Sequence, residues 1–177
     1  MAGAPASFLF HDYESFGARP RIDRPSQFAA VRTDAELNEI DTPVAFHCQP
    51  TRDVLPDPDA CLITGITPQF AQREGVPEPE FFARVHEAMT VPGSCVLGYN
   101  SIRFDDELTR HGLWRNFFPP YDREWRNGSS RWDLIDPLRA ARAGEPAVDR
   151  VEHAVARGED EVVVLAGEAL LGDGDAL

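Results

Sequence analysis

Lysine is absent from this sequence of 177 residues: all 17 basic residues are arginine, against 30 acidic residues, which gives a formal net charge of −13 at pH 7. A protein that binds nucleic acid mainly through charge needs a basic face. The charge balance therefore excludes a free-standing nucleic-acid binder of that kind. The exclusive use of arginine also indicates a strongly GC-rich coding sequence.

Long hydrophobic runs are also missing, since no apolar stretch approaches the roughly 20 residues of a membrane span. The start, MAGAPASFLF, has no basic segment of the kind that opens a secretory signal. The three cysteines, Cys48, Cys61 and Cys95, are widely spaced and form no CxxC pair, so we expect reduced thiols that act as small core residues. Together these features predict one soluble globular domain, with no membrane contact, in the cytoplasm.

Aromatic residues are missing from the end of the chain, because every Trp, Tyr and Phe lies before Asp136. Residues 136–177 use only nine residue types, all of which can be written with codons beginning in G or C. We hypothesise that most of this segment is an out-of-frame reading of a GC-rich gene; an Ala/Gly/Val-rich helical end is the alternative. We accordingly divide the chain into a domain over 1–139 and an atypical tail over 140–177.

The residues before the tail alternate between strand-like and helix-like segments. Apolar runs bounded by turn residues predict strands at 7–14, 27–33, 43–48, 94–99 and 131–134. Capping signals and helical spacing predict helices at 67–75, 79–89, 105–117 and after 134, the last one interrupted by Pro137. This order predicts an α/β fold with a mixed sheet. We expect three aromatic residues at the end of the third helix and directly after it to lie in the core: Trp114, Phe117 and Phe118.

Two carboxylates end the first predicted strand, in the segment His11-Asp12-Tyr13-Glu14. Because side chains alternate along a strand, Asp12 and Glu14 share one face about 6.6 Å apart along the backbone. Like charges at the end of an apolar strand repel each other, and a divalent cation with a preference for oxygen ligands relieves that repulsion. The alternative is that the strand emerges into solvent at this point.

A second acidic group, Asp105-Asp106-Glu107, falls in the first turn of a predicted helix. Negative charge is favourable there because of the helix dipole. The functional interpretation is that one carboxylate faces the first strand and completes an acidic cluster. Asp105 is the preferred one, since the strand before it delivers it to the strand's C-terminal edge, where open α/β sheets bind ligands.

These two segments resemble the DEDD superfamily of 3′→5′ exonucleases, which has a ribonuclease H-like fold. The superfamily's Asp-x-Glu on the first strand matches Asp12 and Glu14, and its Asn followed four residues later by Phe-Asp matches Asn100, Phe104 and Asp105. Over nearly all of 7–139 the chain is similar to the bacterial exodeoxyribonuclease I family, through FLFHDYESFG, RPSQFAAVRTD, LITGITP, LGYNSIRFDDELTRHGLWRNFFPPY and SRWDLIDPLRA. The resemblance implies a mixed β-sheet flanked by helices, incomplete at the C-terminus.

The resemblance also implies an activity: hydrolysis of single-stranded DNA from its 3′ end to nucleoside 5′-monophosphates, in DNA repair and recombination. The family uses two Mg²⁺ ions, with Mn²⁺ as a substitute, to activate water and steady the leaving oxygen. By this resemblance Asp12 bridges both metals, Glu14 holds the first metal near the terminal nucleotide, and Asp105 acts on the second. These three residues are the predicted catalytic and metal-binding set.

Contacts with the DNA strand are predicted from the same resemblance and from local chemistry. Bases stack on aromatic rings with little sequence preference, which suits a nuclease that moves along a strand. The predicted substrate-binding residues are Tyr13, Glu14, Phe16, Arg110, Tyr121, Trp125 and Arg139. We predict an aromatic, Pro-containing loop after the helix at 105–117, and Tyr121, Trp125 and Arg131 belong to it. No protein partner is indicated.

The sequence departs from the superfamily at the third motif, a His followed five residues later by the fourth Asp. His153 is followed five residues later by Gly158, and Asp160 comes two residues further on. Since loss of a general base costs roughly 10²–10⁴-fold in rate, we expect this polypeptide to be inactive or nearly so. The alternative is a non-catalytic remnant with weak metal or DNA binding. An RNA-specific relative fits the succession of motifs less well, and the histidines show no spacing typical of a zinc enzyme.

Overall fold

The computed structural model describes residues 6–141, and within them one five-stranded sheet. The strands are β1 (Ser7–Ser15), β2 (Pro25–Thr33), β3 (Val44–His47), β4 (Ser94–Gly98) and β5 (Ser130–Asp133). Their order across the sheet is β3-β2-β1-β4-β5. β1 runs antiparallel to β2 and parallel to β4, and β5 is parallel to β4, so the predicted mixed sheet is confirmed.

In the described part of the chain, six helices connect and flank the strands. They are α1 (Pro58–Thr64), α2 (Pro68–Glu74), α3 (Glu78–Met89), α4 (Asp105–Arg115), α5 (Asp122–Trp125) and α6 (Ile135–Ala141), with a 3-10 turn at Arg126–Gly128. α2 begins as predicted, because the Thr67 hydroxyl accepts the Phe70 N–H and Pro68 opens the helix. Over the described residues no helix is both long and apolar enough to cross a membrane.

The core lies between the sheet and helices α3 and α4. The sheet contributes buried residues at alternate positions of β1 and its neighbours, and each helix contributes one apolar face. The fully buried or nearly buried members are Leu9, Tyr13, Phe28, Ala30, Cys48, Phe81, Phe82, Val85, Met89, Val96, Leu108 and Leu113. α4 approaches α3 closely at Gly112, where a Cβ atom would lie 1.8 Å from Cζ of Phe82.

The expected core position is wrong for two of the three aromatic residues near the end of α4. Trp114 is 70% exposed and Phe117 97% exposed, whereas Phe118 packs against the core. Leu113 and Gly112 are the residues that α4 turns toward the core, so the next residue, Trp114, faces outward. Phe117 lies beyond the helix in a left-handed conformation with φ of 64°, which directs it away from the core.

Pro137 does not interrupt α6, contrary to the sequence prediction. It is the third residue of the helix, in the first turn, where a backbone N–H has no partner within the helix and its absence costs nothing. The helix continues to Ala141, past the predicted boundary at 139/140. The rest of the tail, including the hypothesised frame change and the spacing after His153, lies outside the described residues.

Core burial is confirmed for Cys48 and Cys95, while Cys61 is only half-buried. The segment between α4 and β5, predicted as a loop, contains α5 and the 3-10 turn. α1 was also not predicted, although its start carries the same signals as α2: Asp57 accepts the Asp59 N–H, and Pro58 is the first helical residue.

Candidate active site

Alternation along β1 separates the predicted metal ligands from the core. His11 and Tyr13 are buried on the core face, whereas Asp12 is exposed and Glu14 half-buried on the opposite face. Asp12 and Glu14 therefore lie side by side, as the strand period predicts. The pairing register of β1 with β2 shifts between Glu14 and Ser15, directly after the pair.

Asp105 reaches the same edge of the sheet from the neighbouring strand. β4 pairs in parallel with β1, so the two strands end on the same side, and the loop after β4 leads into α4 with Asp105 as its first residue. The Asp105 side chain is buried. This topology brings Asp105 toward Asp12, as an acidic cluster at this edge requires.

The charge of Asp12 acts on both of the other carboxylates. Burial, and then the charge of Asp12, raise the pKa of Glu14 to about 7. Burial raises the pKa of Asp105 well above its usual value, and the charges of Asp12, Asp106 and Asp133 add to the effect. Crowding by protein atoms raises the pKa of Asp12 as well, although solvent reaches its side chain. Negative charge is thus disfavoured at this edge without a compensating cation.

Oxygen ligands of this kind suit Mg²⁺ or Mn²⁺, and Mg²⁺ is commonly held by one or two carboxylates together with water. Over residues 6–141, no group of three or more His, Cys, Asp or Glu side chains is close enough to hold one ion. The interactions run in pairs instead, from Asp12 to Glu14 and from Asp12 to Asp105. The donor chemistry therefore fits a magnesium site in which water completes the coordination.

Buried polar contacts fix the start of α4 against the sheet. Thr109 donates a hydrogen bond of 3.0 Å to the Tyr13 hydroxyl on β1. Asp106 accepts from Arg123 at 2.5 Å and also from Arg131. Sequence reasoning missed Arg123, because arginine is seldom fully buried and nothing in the segment Tyr-Asp-Arg-Glu-Trp marks it as an interior residue.

Two of the predicted substrate-binding residues contact each other. The Arg110 guanidinium lies over the Tyr121 ring, 5.6 Å from its centroid. Arg110 also donates to Glu124 at 2.9 Å and to Glu107 at 3.0 Å. A DNA phosphate at this position would have to compete with both glutamates for Arg110.

The remaining predicted contacts are distributed between the surface and the core. Trp125 is exposed on α5, and Arg139 is exposed on α6, 3.8 Å from Asp136. The side chains of Tyr13 and Phe16 are buried, so in this conformation their rings are not presented to a DNA strand.

Comparison with known proteins identifies the family to which this chain belongs. A family model described as Exonuclease matches residues 9–160. The chain therefore belongs to the exonuclease family, whose members are hydrolases that act on nucleic acids. The individual relatives belong to a narrower class within this family, exodeoxyribonuclease I. Exodeoxyribonuclease I of Escherichia coli is 55% identical over 141 residues, which cover 80% of this chain, and that of Haemophilus influenzae is 52% identical over 140 residues.

Solved structures agree with the sequence relatives. Exonuclease I of Methylocaldum szegediense is 58% identical, with a TM-score of 0.80 over 86% of this chain and 36% of that structure. A zinc-bound complex of the E. coli enzyme with single-stranded DNA is 55% identical, with a TM-score of 0.77 over 80% of this chain. The predicted family and the α/β fold are thus confirmed. The chain spans about 30% of the length of the E. coli and H. influenzae relatives.

Proposed function

We propose that residues 7–139 supply metal-binding carboxylates for a 3′→5′ exodeoxyribonuclease that degrades single-stranded DNA to nucleoside 5′-monophosphates during DNA repair and recombination. The observation that carries this proposal is the position of Asp12, which lies on one face of β1 with Glu14, while the parallel neighbouring strand β4 leads to Asp105 at the same end of the sheet. The DNA-bound relatives support single-stranded DNA as the substrate. A cytoplasmic location remains a prediction from the sequence.

In this proposal Asp12, Glu14 and Asp105 would hold two Mg²⁺ ions, with Mn²⁺ as a substitute. When bound, such ions lower the pKa of an attacking water and stabilise charge on the leaving oxygen. The protein's own part is to place three carboxylates at one sheet edge, where a bound cation would favour their ionised form. Tyr13–Thr109 and Asp106–Arg123 hold β1 and α4 in place for that purpose.

We propose that exposed residues near α4 and α5 contact the DNA strand. Tyr121 and Trp125 are exposed, although the Arg110 guanidinium covers one face of the Tyr121 ring. Base stacking on an aromatic ring is worth about 1–3 kcal/mol per base. Arg110 would bind a phosphate only after exchanging a glutamate contact, and Arg139 is a further candidate for a phosphate. With a net charge of −13, the chain gains little from general attraction to DNA.

A second candidate function is a non-catalytic remnant that binds metal or DNA weakly. The sequence feature that favours it is the absence of a His-x₄-Asp pair from the 177 residues. In the superfamily, the His of this pair is the general base. For this polypeptide on its own we therefore expect hydrolysis to be very slow or undetectable, while binding of Mg²⁺ by Asp12 and its neighbours persists.

One assay separates the two candidates. The purified chain is incubated with an oligonucleotide carrying a 3′ label, with Mg²⁺ or with EDTA, beside the Asp12→Ala variant. Mg²⁺-dependent release of mononucleotides that Asp12→Ala abolishes would show a working nuclease and would refute the expected inactivity. No release, combined with Mg²⁺ binding that Asp12→Ala removes, supports the carboxylate site together with the remnant. No Mg²⁺ binding by the parent chain would overturn the proposed function.

A further inference from the structure

Asp133 is a buried carboxylate that no part of the proposed chemistry uses. It is the last residue of β5 and pairs with Gly98, the last residue of β4. Its Oδ1 accepts the backbone N–H of Asn100 at 2.8 Å and that of Ile135 at 3.0 Å, and its Oδ2 accepts the N–H of Ile102 at 3.1 Å. Three main-chain donors from two segments therefore converge on one side chain.

Two of these donors belong to the loop 99–104, which connects β4 to α4. Asn100 has a φ of 56°, a left-handed conformation that costs energy for a residue other than glycine and needs support from its surroundings. The hydrogen bond from its N–H to Asp133 supplies such support. Ser101 lies between the two anchored N–H groups and is buried.

The anchored loop in turn holds the first turn of α4. The Ser101 carbonyl accepts the N–H of Asp106 at 2.9 Å and that of Phe104 at 3.3 Å. α4 has no side-chain cap at its N-terminus, so this carbonyl is a main attachment of the turn that contains Asp105. Hydrogen bonds from Asp133 thus hold the residues on either side of Ser101, and the Ser101 carbonyl holds the first turn of α4, which contains Asp105.

We infer that Asp133 is a positioning residue, which fixes the loop 99–104 through its backbone N–H groups and thereby sets Asp105 beside Asp12. This inference rests on the proposed function of Asp105 as a metal ligand. Residues that orient a ligand from outside the coordination sphere typically change metal affinity by roughly 10- to 100-fold when they are replaced. Asp133 positions Asp105 through the backbone of the loop and not through a contact with the Asp105 carboxylate.

The test compares Asp133→Ala and Asp133→Asn with Val85→Ala, a truncation in the buried face of α3 that lowers stability away from the loop. Mg²⁺ binding is measured by titration calorimetry, and backbone hydrogen exchange is followed over residues 98–106. Asp133→Ala should bind Mg²⁺ at least about 10-fold more weakly and exchange faster in this segment. Asp133→Asn keeps a carbonyl oxygen for Asn100 and Ile135, so its loss should be smaller. Val85→Ala should bind Mg²⁺ like the parent chain.

Mg²⁺ binding by Asp133→Ala within about twofold of the parent would overturn the inference, as would an equal loss in Val85→Ala. Should the parent chain itself bind no Mg²⁺, the proposed function fails, and hydrogen exchange then decides the role of Asp133 separately. Faster exchange over 98–106 in Asp133→Ala than in Val85→Ala would still support its hold on the loop. Equal exchange in the two variants would refute it.

Discussion

The ion pair between Asp106 and Arg123 should respond unequally to loss of its two members. The pair is almost completely buried, with side chains 4% and 1% exposed. Asp106 has a second partner in Arg131, whereas the next carboxylate near Arg123, Glu124, is 3.8 Å away. Nε and Nη1 of Arg123 lack hydrogen-bond partners among the described residues. Removing Asp106 therefore leaves a buried guanidinium without compensation, and removing Arg123 does not leave Asp106 alone.

The expected free energies of unfolding follow from this asymmetry. Asp106→Leu should destabilise the chain by about 3–5 kcal/mol, the usual cost of leaving one charge of a buried pair. Arg123→Met should cost about 1–3 kcal/mol, the value of a hydrogen bond to a charged group. The double variant should recover part of the larger loss, because an apolar pair can replace a buried ion pair, whereas Arg131 still loses its contact with Asp106.

Urea unfolding of the four proteins at pH 7, followed by circular dichroism, measures these terms as a double-mutant cycle. We expect the double variant to be less destabilised than the sum of the single ones by about 2–3 kcal/mol, a coupling typical of residues in direct contact. Additive effects, or an Asp106→Leu variant no less stable than Arg123→Met, would refute the assignment of Asp106 as the main counter-ion of Arg123.

Two further predictions concern the packing and the charge of the site. Gly112→Ala should cost about 1–3 kcal/mol of stability, since its Cβ would lie 1.8 Å from Cζ of the fully buried Phe82. Adding Phe82→Leu should restore part of this stability, as measured by thermal unfolding. No recovery would contradict this packing. The raised pKa of Glu14, about 7 against an ordinary 4.5, favours the protonated acid in the folded state, so the parent chain should lose stability relative to Glu14→Gln as pH rises through this interval. Because Glu14 is partly exposed, we expect a difference of about 1–2 kcal/mol by pH 8 in urea titrations with EDTA, and parallel pH profiles would count against it.

Much of the fold could be predicted from the sequence because its signals are local. The period of two along β1 assigned Asp12 and Glu14 to one face, and the Thr67-Pro68 pair marked the start of α2. The helical spacing of Phe82, Val85 and Met89 is likewise local, and all three side chains lie in the buried face of α3. In each case the deciding information lies within one or two turns of the chain, so a single sequence suffices.

Features that depend on tertiary packing could not be predicted in this way. The burial of Arg123 and the three backbone contacts of Asp133 join segments that are distant in sequence, and their residue types are ordinarily exposed. The exposure of Trp114 and Phe117 was missed for the converse reason, since large aromatic residues usually lie inside. For Arg110 the sequence indicated a contact with the DNA strand, and only the structure shows that glutamates already occupy its guanidinium.

The most direct test of the central claim is calorimetric titration of the 177-residue chain with Mg²⁺, repeated with Asp12→Asn and with Asp136→Asn. Asp12 is the carboxylate that interacts with both Glu14 and Asp105, whereas Asp136 is exposed on α6 and pairs only loosely with Arg139. We predict saturable Mg²⁺ binding by the parent chain and by Asp136→Asn, and its loss in Asp12→Asn. Equal binding by all three proteins, or none by the parent chain, would contradict a magnesium site centred on Asp12.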